Sequence, residues 1–343
     1  MRNKPLVAVS MGDPCGVGPE IIVKALASAV LLEHCLPVVI GEVRALERAV
    51  DQLGSKTRIQ VAPEIEGLVD YIRPGTICVL SRSDLAWEDI AYGKPSQATC
   101  RAVIHYIEEA ARLALAGRVD AVCTCPIHKA NLQKAGFAFA GHTEFLQEIT
   151  RAKDVVMMLA GPRLRVSLVT IHQALIDVPK TLTAERISRT IAVTAEALAH
   201  DFGLEPVRIG VAGLNPHAGE WGRFGREELE IIQPVIEEFQ GSPYHVAGPF
   251  SPDTLFFRAF EGEFDAVVAM YHDQGLIPIK MVHFYEAVNV TLGLPIVRTS
   301  VDHGTAYELA GTGKAHPGSL DRAVRLAAGM VRNRRLRAPH DQI

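Results

Sequence analysis

The chain has 343 residues, more than one hydrophobic core usually fills, so two domains are expected. Its 35 Lys+Arg against 39 Asp+Glu leave a formal charge of -4, which argues against nucleic acid or an anionic membrane surface held by bulk charge. No apolar run approaches the roughly 18 residues of a membrane span, and "MRNKPLVAVSMGDP" meets Asp13 too soon to supply a secretory signal, so the cytoplasm is the expected compartment.

The signals alternate between strand and helix. "PLVAVSMG" reads as a first strand, "DPCGVGP" as its turn, and "EIIVKALASA" as a helix with Pro19 at its first position. Next, "SQATCRAVIHYIEEAARLALAG" carries apolar residues at helical spacing and stops at Gly117, ahead of the short strand "VDAVCTCP". The unit recurs when "AERISRTIAVTAEALAHDFG" leads into "PVRIGVAGLNPH", and the helix candidate "REELEIIQPVIEEF" precedes a core strand ending in "VVAMYH". That strand gives way to "DQGLIPIK", which sets Lys280 one turn of loop later, and "SLDRAVRLAAGMVRNRRLR" closes the chain as a helix with a basic, frayed tail. This order predicts an α/β fold of mostly parallel sheet covered on both faces, its domains joined by crossing strands rather than a flexible tether. Cysteines 15, 35, 78, 100, 123 and 125 lie in apolar segments without the paired spacing of a zinc knuckle, and read as reduced small hydrophobes.

In open parallel sheets the ligand crevice lies beyond the carboxyl ends of the strands. Three histidines follow such ends: His172 after "RVSLVTI", His217 after "RIGVAGLNP" and His272 after "DAVVAMY". One alone is more often a hydrogen-bonded structural residue, but three at equivalent points suit a divalent metal with an open position. Other polar groups stand nearby in sequence: His142, Thr143 and Glu144 in "GHTEFL", Asp253 in "SPDTLF", Asp273, Lys280, Asn289 and Arg298. Singly these read as helix caps or surface charges; together they suggest a small anionic substrate, gripped by Lys and Arg. "MGDPCGVGPE" lacks the dinucleotide-binding glycine spacing, and "GTGKAH" has Ala315 where a phosphate-binding loop needs Ser or Thr, which disfavours a nucleotide kinase.

The motifs "MGDPCGVGPEI", "PIHKANLQKAGFAFAGHTEFL", "LNPHAGEWGRFGREE", "AMYHDQGLIPIK" and "NVTLGLPIVRTSVDHGTAYELAGTGKA" resemble the 4-hydroxythreonine-4-phosphate dehydrogenase family of pyridoxal phosphate biosynthesis, from about residue 6 to about residue 328. The resemblance implies a homodimer of two-domain subunits of the isocitrate and isopropylmalate dehydrogenase type, with the active site shared across the interface. The expected division is 1–130 plus 300–343 for the first α/β domain and 131–299 for the second, the latter carrying the metal and substrate residues and the dimer interface. Position by position, it makes His172, His217 and His272 ligands of a Zn, Mg or Co ion, one of them from the partner subunit. It puts His142, Thr143, Lys280, Asn289 and Arg298 on the substrate. The implied reaction oxidises a secondary alcohol to a ketone with NAD(P), and the resulting β-keto acid loses carbon dioxide. Asp253, Asp273 and Lys280 are the candidates for proton handling or for orienting a ligand imidazole.

"DHGTAYELAGTGKAHPG" is similar to the adenosine-binding loop of those relatives, which implies cofactor contacts at His303, Gly304, Thr305, Ala306, Glu308 and Gly311. A carboxylate at Glu308 can accept hydrogen bonds from ribose hydroxyls and repels a 2′-phosphate, so NAD is expected over NADP. The rival substrates within the superfamily are 4-phospho-D-threonate and 4-phospho-D-erythronate. A metal-dependent hydrolase is the rival of another class, and nicotinamide reduction that requires substrate and metal separates the two. A non-catalytic phosphometabolite sensor would bind without turnover.

Overall fold

The computed structural model describes residues 4–337. In chain order its strands are β1 (Leu6–Ser10), β2 (Leu36–Gly41), β3 (Arg58–Ala62), β4 (Thr76–Ser81), β5 (Ala121–Thr124), β6 (Val156–Ala160), β7 (Arg165–Leu168), β8 (Arg208–Ala212), β9 (His245–Phe250), β10 (Ala266–Ala269), β11 (Val288–Leu292) and β12 (Val297–Val301). Two compact units divide the chain: residues up to Ala152 with Leu294–Arg332, and Lys153–Gly293 with the chain from Asn333 on. The first boundary falls between the helix His142–Thr150 and β6, the second between β11 and β12, so short connections rather than a tether link the units.

The expected divisions at 130/131 and 299/300 are therefore corrected to 152/153 and 293/294. Pairing decides the change. β12 lies parallel to β5, with Arg298 opposite Val122. The helix His142–Thr150 packs on the helix Gln97–Leu115, and Phe137, Phe139 and Phe145 form a cluster of rings 4.8 to 5.4 Å apart. His142, Thr143 and Arg298 thus belong to the first unit.

In the first unit the order β3-β4-β2-β1-β5-β12 is parallel throughout. Every residue of β1, β5 and β12 is buried, as expected for strands covered on both faces. The chain moves one way from β1 to β2 and the other way to β5, so the loops after β1 and β5 flank a point where strand order reverses. In the second unit the order is β11-β6-β7-β10-β8-β9, antiparallel across β11, β6 and β7 and parallel from β7 to β9.

Three local expectations change. Lys280 sits on a helix, His272–His283, not in a loop; the helix tolerates Pro278 within it and carries Asp273 in its first turn, where the helix dipole favours a carboxylate. The segment from 226 to 239 is a π-helical turn, Glu228–Ile232, followed by the α-helix Gln233–Glu238. Pro234 has no N–H to give to the carbonyl four residues back, which fits the wider turn before it. The basic end of the closing helix, Gly318–Arg337, is helical through Arg337, and Arg334 pairs with the buried Asp201 at 2.5 Å. All six cysteines are free and buried. Among the described residues no helix is long and apolar enough to cross a membrane.

Gly12, at the end of β1, has φ +70, and a Cβ there would lie 2.3 Å from the Pro126 carbonyl oxygen. Gly12→Ala therefore combines a left-handed alanine with an overlap against the next loop, and urea unfolding should report a loss of at least about 2 kcal/mol. A loss below half that would mean the two loops do not constrain each other.

Candidate active site

The first unit brings three loops together at the carboxyl ends of β1, β5 and β12. The Asp13 N–H donates to the Pro126 carbonyl and the Val17 N–H to that of Thr305, both at 3.0 Å. Gly16 is packed so closely that a Cβ would meet the Thr305 oxygen at 2.9 Å. Farther along, the buried Glu20 carboxylate accepts from the Ala315 and Gly313 amides at 2.8 and 3.3 Å, while Lys24 Nζ donates to the carbonyls of both at 2.7 Å. The Gly313 and Ala315 amides of "GTGKA" are thus already engaged by a carboxylate, and those of Thr312 and Lys314 by the Leu309 carbonyl and the Thr312 hydroxyl, which argues against a phosphate cradle here. Of the expected cofactor positions, Thr305 is buried, His303, Gly304 and Glu308 are exposed, Ala306 has φ 42, and Gly311 lies against the Tyr92 ring.

Beside this loop stand the first unit's substrate candidates. Arg298, 2% exposed on β12, donates from Nη2 to Thr124 Oγ1 at 2.7 Å, and burial pushes its guanidinium down to about 10. His142 opens its helix with Nε2 buried and without a hydrogen-bond partner among the described residues. Burial, with Arg298 and Lys129 close by, holds its imidazole well below the usual histidine range. Thr143 is half-buried in the same first turn. A buried guanidinium close to a neutral imidazole with an unpartnered nitrogen is a pair of groups suited to an anionic oxygen ligand.

In the second unit the three expected histidines follow β7, β10 and β8, which are adjacent and parallel, so their loops leave the same edge. The Thr170 hydroxyl donates to the Met270 carbonyl at 2.7 Å, joining the loops after β7 and β10. The buried Gln274 side chain accepts from the Met270 N–H and donates to the Gly213 carbonyl, both at 2.7 Å, joining those after β10 and β8. The rings of His172 and His272 are 5.6 Å apart, and His272 Nδ1 lies 2.7 Å from Asp273 Oδ1, which leaves Nε2 of His272 for another partner. His217 instead faces Phe224 at 6.4 Å and, with Asp253, lines a pocket of about 290 Å³. Among the described residues no three His, Cys, Asp or Glu side chains converge to hold a metal ion within one chain. His217 shares that pocket with Tyr271 and Gln274, the residues on either side of the His272–Asp273 pair. Asp253 accepts from Ser251 Oγ at 2.5 Å, Lys280 is half-buried on its helix, and Asn289 on β11 keeps a buried Oδ1 without a partner among the described residues.

His217 begins an unusual stretch. Residues 217 to 222 all have positive φ, including the non-glycine His217, Ala218, Glu220 and Trp221. The buried Glu228 carboxylate holds its base, accepting from Asn215 N at 2.7 Å and Asn215 Nδ2 at 3.0 Å. Asn215, Glu228, Gln274 and Asp13 were all passed over in the sequence. The one signal that pointed to any of them was a polar residue inside an otherwise glycine-rich or apolar stretch.

An unfolded chain takes up a proton on His142 near the ordinary value of 6.5, and the folded chain refuses it. The stability contributed by the neutral ring is present above that pH and is lost as pH falls towards the depressed folded value. Between about pH 7 and pH 5, the unfolding free energy should drop more steeply for the parent protein than for His142→Gln, by up to about 1.4 kcal/mol per pH unit. Parallel curves would contradict the buried, neutral assignment.

Comparison with known proteins matches residues 33–327 to the family described as pyridoxal phosphate biosynthetic protein PdxA. A "4-hydroxythreonine-4-phosphate dehydrogenase" of Trichlorobacter lovleyi is 49% identical, covering 96% of this chain and 99% of that one. A "D-threonate 4-phosphate dehydrogenase" of Cupriavidus necator is 43% identical over 96% and 98%. The crystal structure of the 4-hydroxythreonine-4-phosphate dehydrogenase from Klebsiella pneumoniae superposes with a TM-score of 0.88 at 38% identity, covering 96% of this chain and 98% of that one. With its fold, its paired strand-end loops and a match across most of its length, this chain belongs to the PdxA family of pyridoxal phosphate biosynthetic proteins.

Proposed function

We propose that this protein is an NAD-dependent oxidoreductase that converts 4-hydroxythreonine 4-phosphate to its 3-oxo acid, which loses carbon dioxide to give 3-amino-2-oxopropyl phosphate. The near full-length identity to the T. lovleyi enzyme carries this reading. The first unit supplies Arg298, His142 and Thr143 for the anionic end of the substrate and the loop from His303 to Gly311 for the dinucleotide. The second supplies His172, His272 and His217 for a divalent ion, with Lys280 and Asn289 as further substrate contacts.

That the three histidine side chains do not converge to hold an ion among the described residues of one chain supports a site in which one of the three ligands comes from a second copy of the chain. The helix His272–His283 and the turn after it expose Ile277, Met281, Phe284 and Tyr285, each more than 60% accessible, an apolar surface suited to a homodimer interface. When bound, the ion would supply a Lewis acid beside the reacting hydroxyl and the nicotinamide a hydride acceptor. Asp273 holds the His272 ring in place and fixes which nitrogen faces outward. Asp253, Asp273 or Lys280 takes the hydroxyl proton, and Lys280 can return one to the carbon left by decarboxylation. Exposed Glu308 favours NAD over NADP by repelling a 2′-phosphate.

Nicotinamide reduction measured with 4-hydroxythreonine 4-phosphate and with D-threonate 4-phosphate, each with NAD or NADP and added divalent ion, tests the assignment. The amino acid with NAD should give the highest kcat/KM; a preference for the threonate would transfer the chain to the group represented by the C. necator enzyme. Asp273→Asn should weaken divalent-ion affinity about tenfold or more in a calorimetric titration. Undiminished affinity would remove Asp273 from the site.

A further inference from the structure

Within the proposed cofactor loop, Ala306 is held at φ 42, a left-handed conformation that an alanine adopts only when its surroundings impose it. Its neighbours show what imposes it. On one side the Thr305 carbonyl accepts from the Val17 N–H. On the other, the Tyr307 side chain has its ring stacked on His128 at 5.3 Å and its hydroxyl bonded to Asp13 Oδ2. Asn131 Nδ2 donates to the same hydroxyl at 3.2 Å, so the phenol must spend its own proton on Asp13. Asp13 is 4% exposed, and its other oxygen accepts from the Cys15 N–H at 2.9 Å. The direction of the Tyr307–Asp13 bond, phenol to carboxylate, follows from the Asn131 side-chain amide already using the phenol oxygen as an acceptor.

We propose that Tyr307 is a positioning residue for the dinucleotide: its hydroxyl, locked between Asp13 and Asn131, fixes Ala306 in its left-handed geometry and so sets the path of the loop that presents Ala306, Glu308 and Gly311 to the cofactor. The inference rests on the proposed nicotinamide-dependent reaction. Tyr307 is half-buried, with its hydroxyl and ring engaged by Asp13, Asn131 and His128 of the segments after β1 and β5, so it acts through the backbone rather than by touching the cofactor. The same tie couples the first βα turn, "GDPCGVG", to cofactor binding although that turn lacks a dinucleotide fingerprint.

Tyr307→Phe keeps the ring and its stacking on His128 and removes only the hydroxyl. In the full-length, metal-loaded enzyme, KM for NAD should rise about tenfold, while kcat and KM for the phosphorylated substrate stay within about twofold. Direct titration of NAD should show the same loss of affinity. An unchanged NAD affinity would overturn the proposal, as would equal losses for both ligands accompanied by a lowered melting temperature, the mark of a merely structural tyrosine. If the parent enzyme reduces no NAD with any substrate, the underlying functional reading fails; if it does so and Tyr307→Phe matches it, only the positioning role fails.

Discussion

Adjacent parallel strands oblige their outgoing loops to share one edge, and in both units this constraint gathers the chemistry. β1, β5 and β12 run side by side in the first unit, and β7, β10 and β8 in the second. Residues separated by a hundred positions or more, such as Thr170 and Met270 or Asp13 and Tyr307, become hydrogen-bond partners because strand direction leaves their loops nowhere else to go. Gathering alone does not make a site, and the polar contacts between loops then hold each arrangement.

Those contacts bring charge below the surface, where it is tolerated only when paired or hydrogen-bonded. Asp13 has a phenol and an amide, Glu20 a lysine and two amides, Glu228 the backbone and side chain of Asn215. Each such carboxylate fixes a loop. His142 and Asn289 differ, because each retains a buried polar atom without a partner among the described residues. Ser10 Oγ and the Tyr92 hydroxyl share that state, so the paired carboxylates mark what fixes the loops, while an unpaired buried atom does not by itself mark a ligand contact.

Much of this was legible in the chain. Strand ends followed by His172, His217 and His272 could be read directly, because one such imidazole has an ordinary structural explanation but three at equivalent points of three strands stand out. The helices 97–115 and 184–200 followed from apolar periodicity and flanking caps. Lys280 was misplaced because "QGLIPIK" has glycine and proline in a short window, whereas the packing of Leu276 and Ile279 into the core keeps that window helical. The π-turn at Glu228–Ile232 was not read from apolar periodicity, although Pro234 just beyond it lacks an N–H, which fits the wider turn.

Local pattern by itself determined the alternation of strand and helix, the parallel character of the sheets and the identity of the polar residues at strand ends, since these depend on side-chain periodicity within a dozen residues. Tertiary structure alone decided which loops meet, that Arg298 and His142 belong to the first unit, that the His172 and His272 rings are neighbours, and that the Tyr307 hydroxyl meets Asp13. Each of these is a contact between segments far apart in the chain, chosen by strand order and by the need to satisfy buried polar groups, and no stretch of sequence read in isolation contains that information.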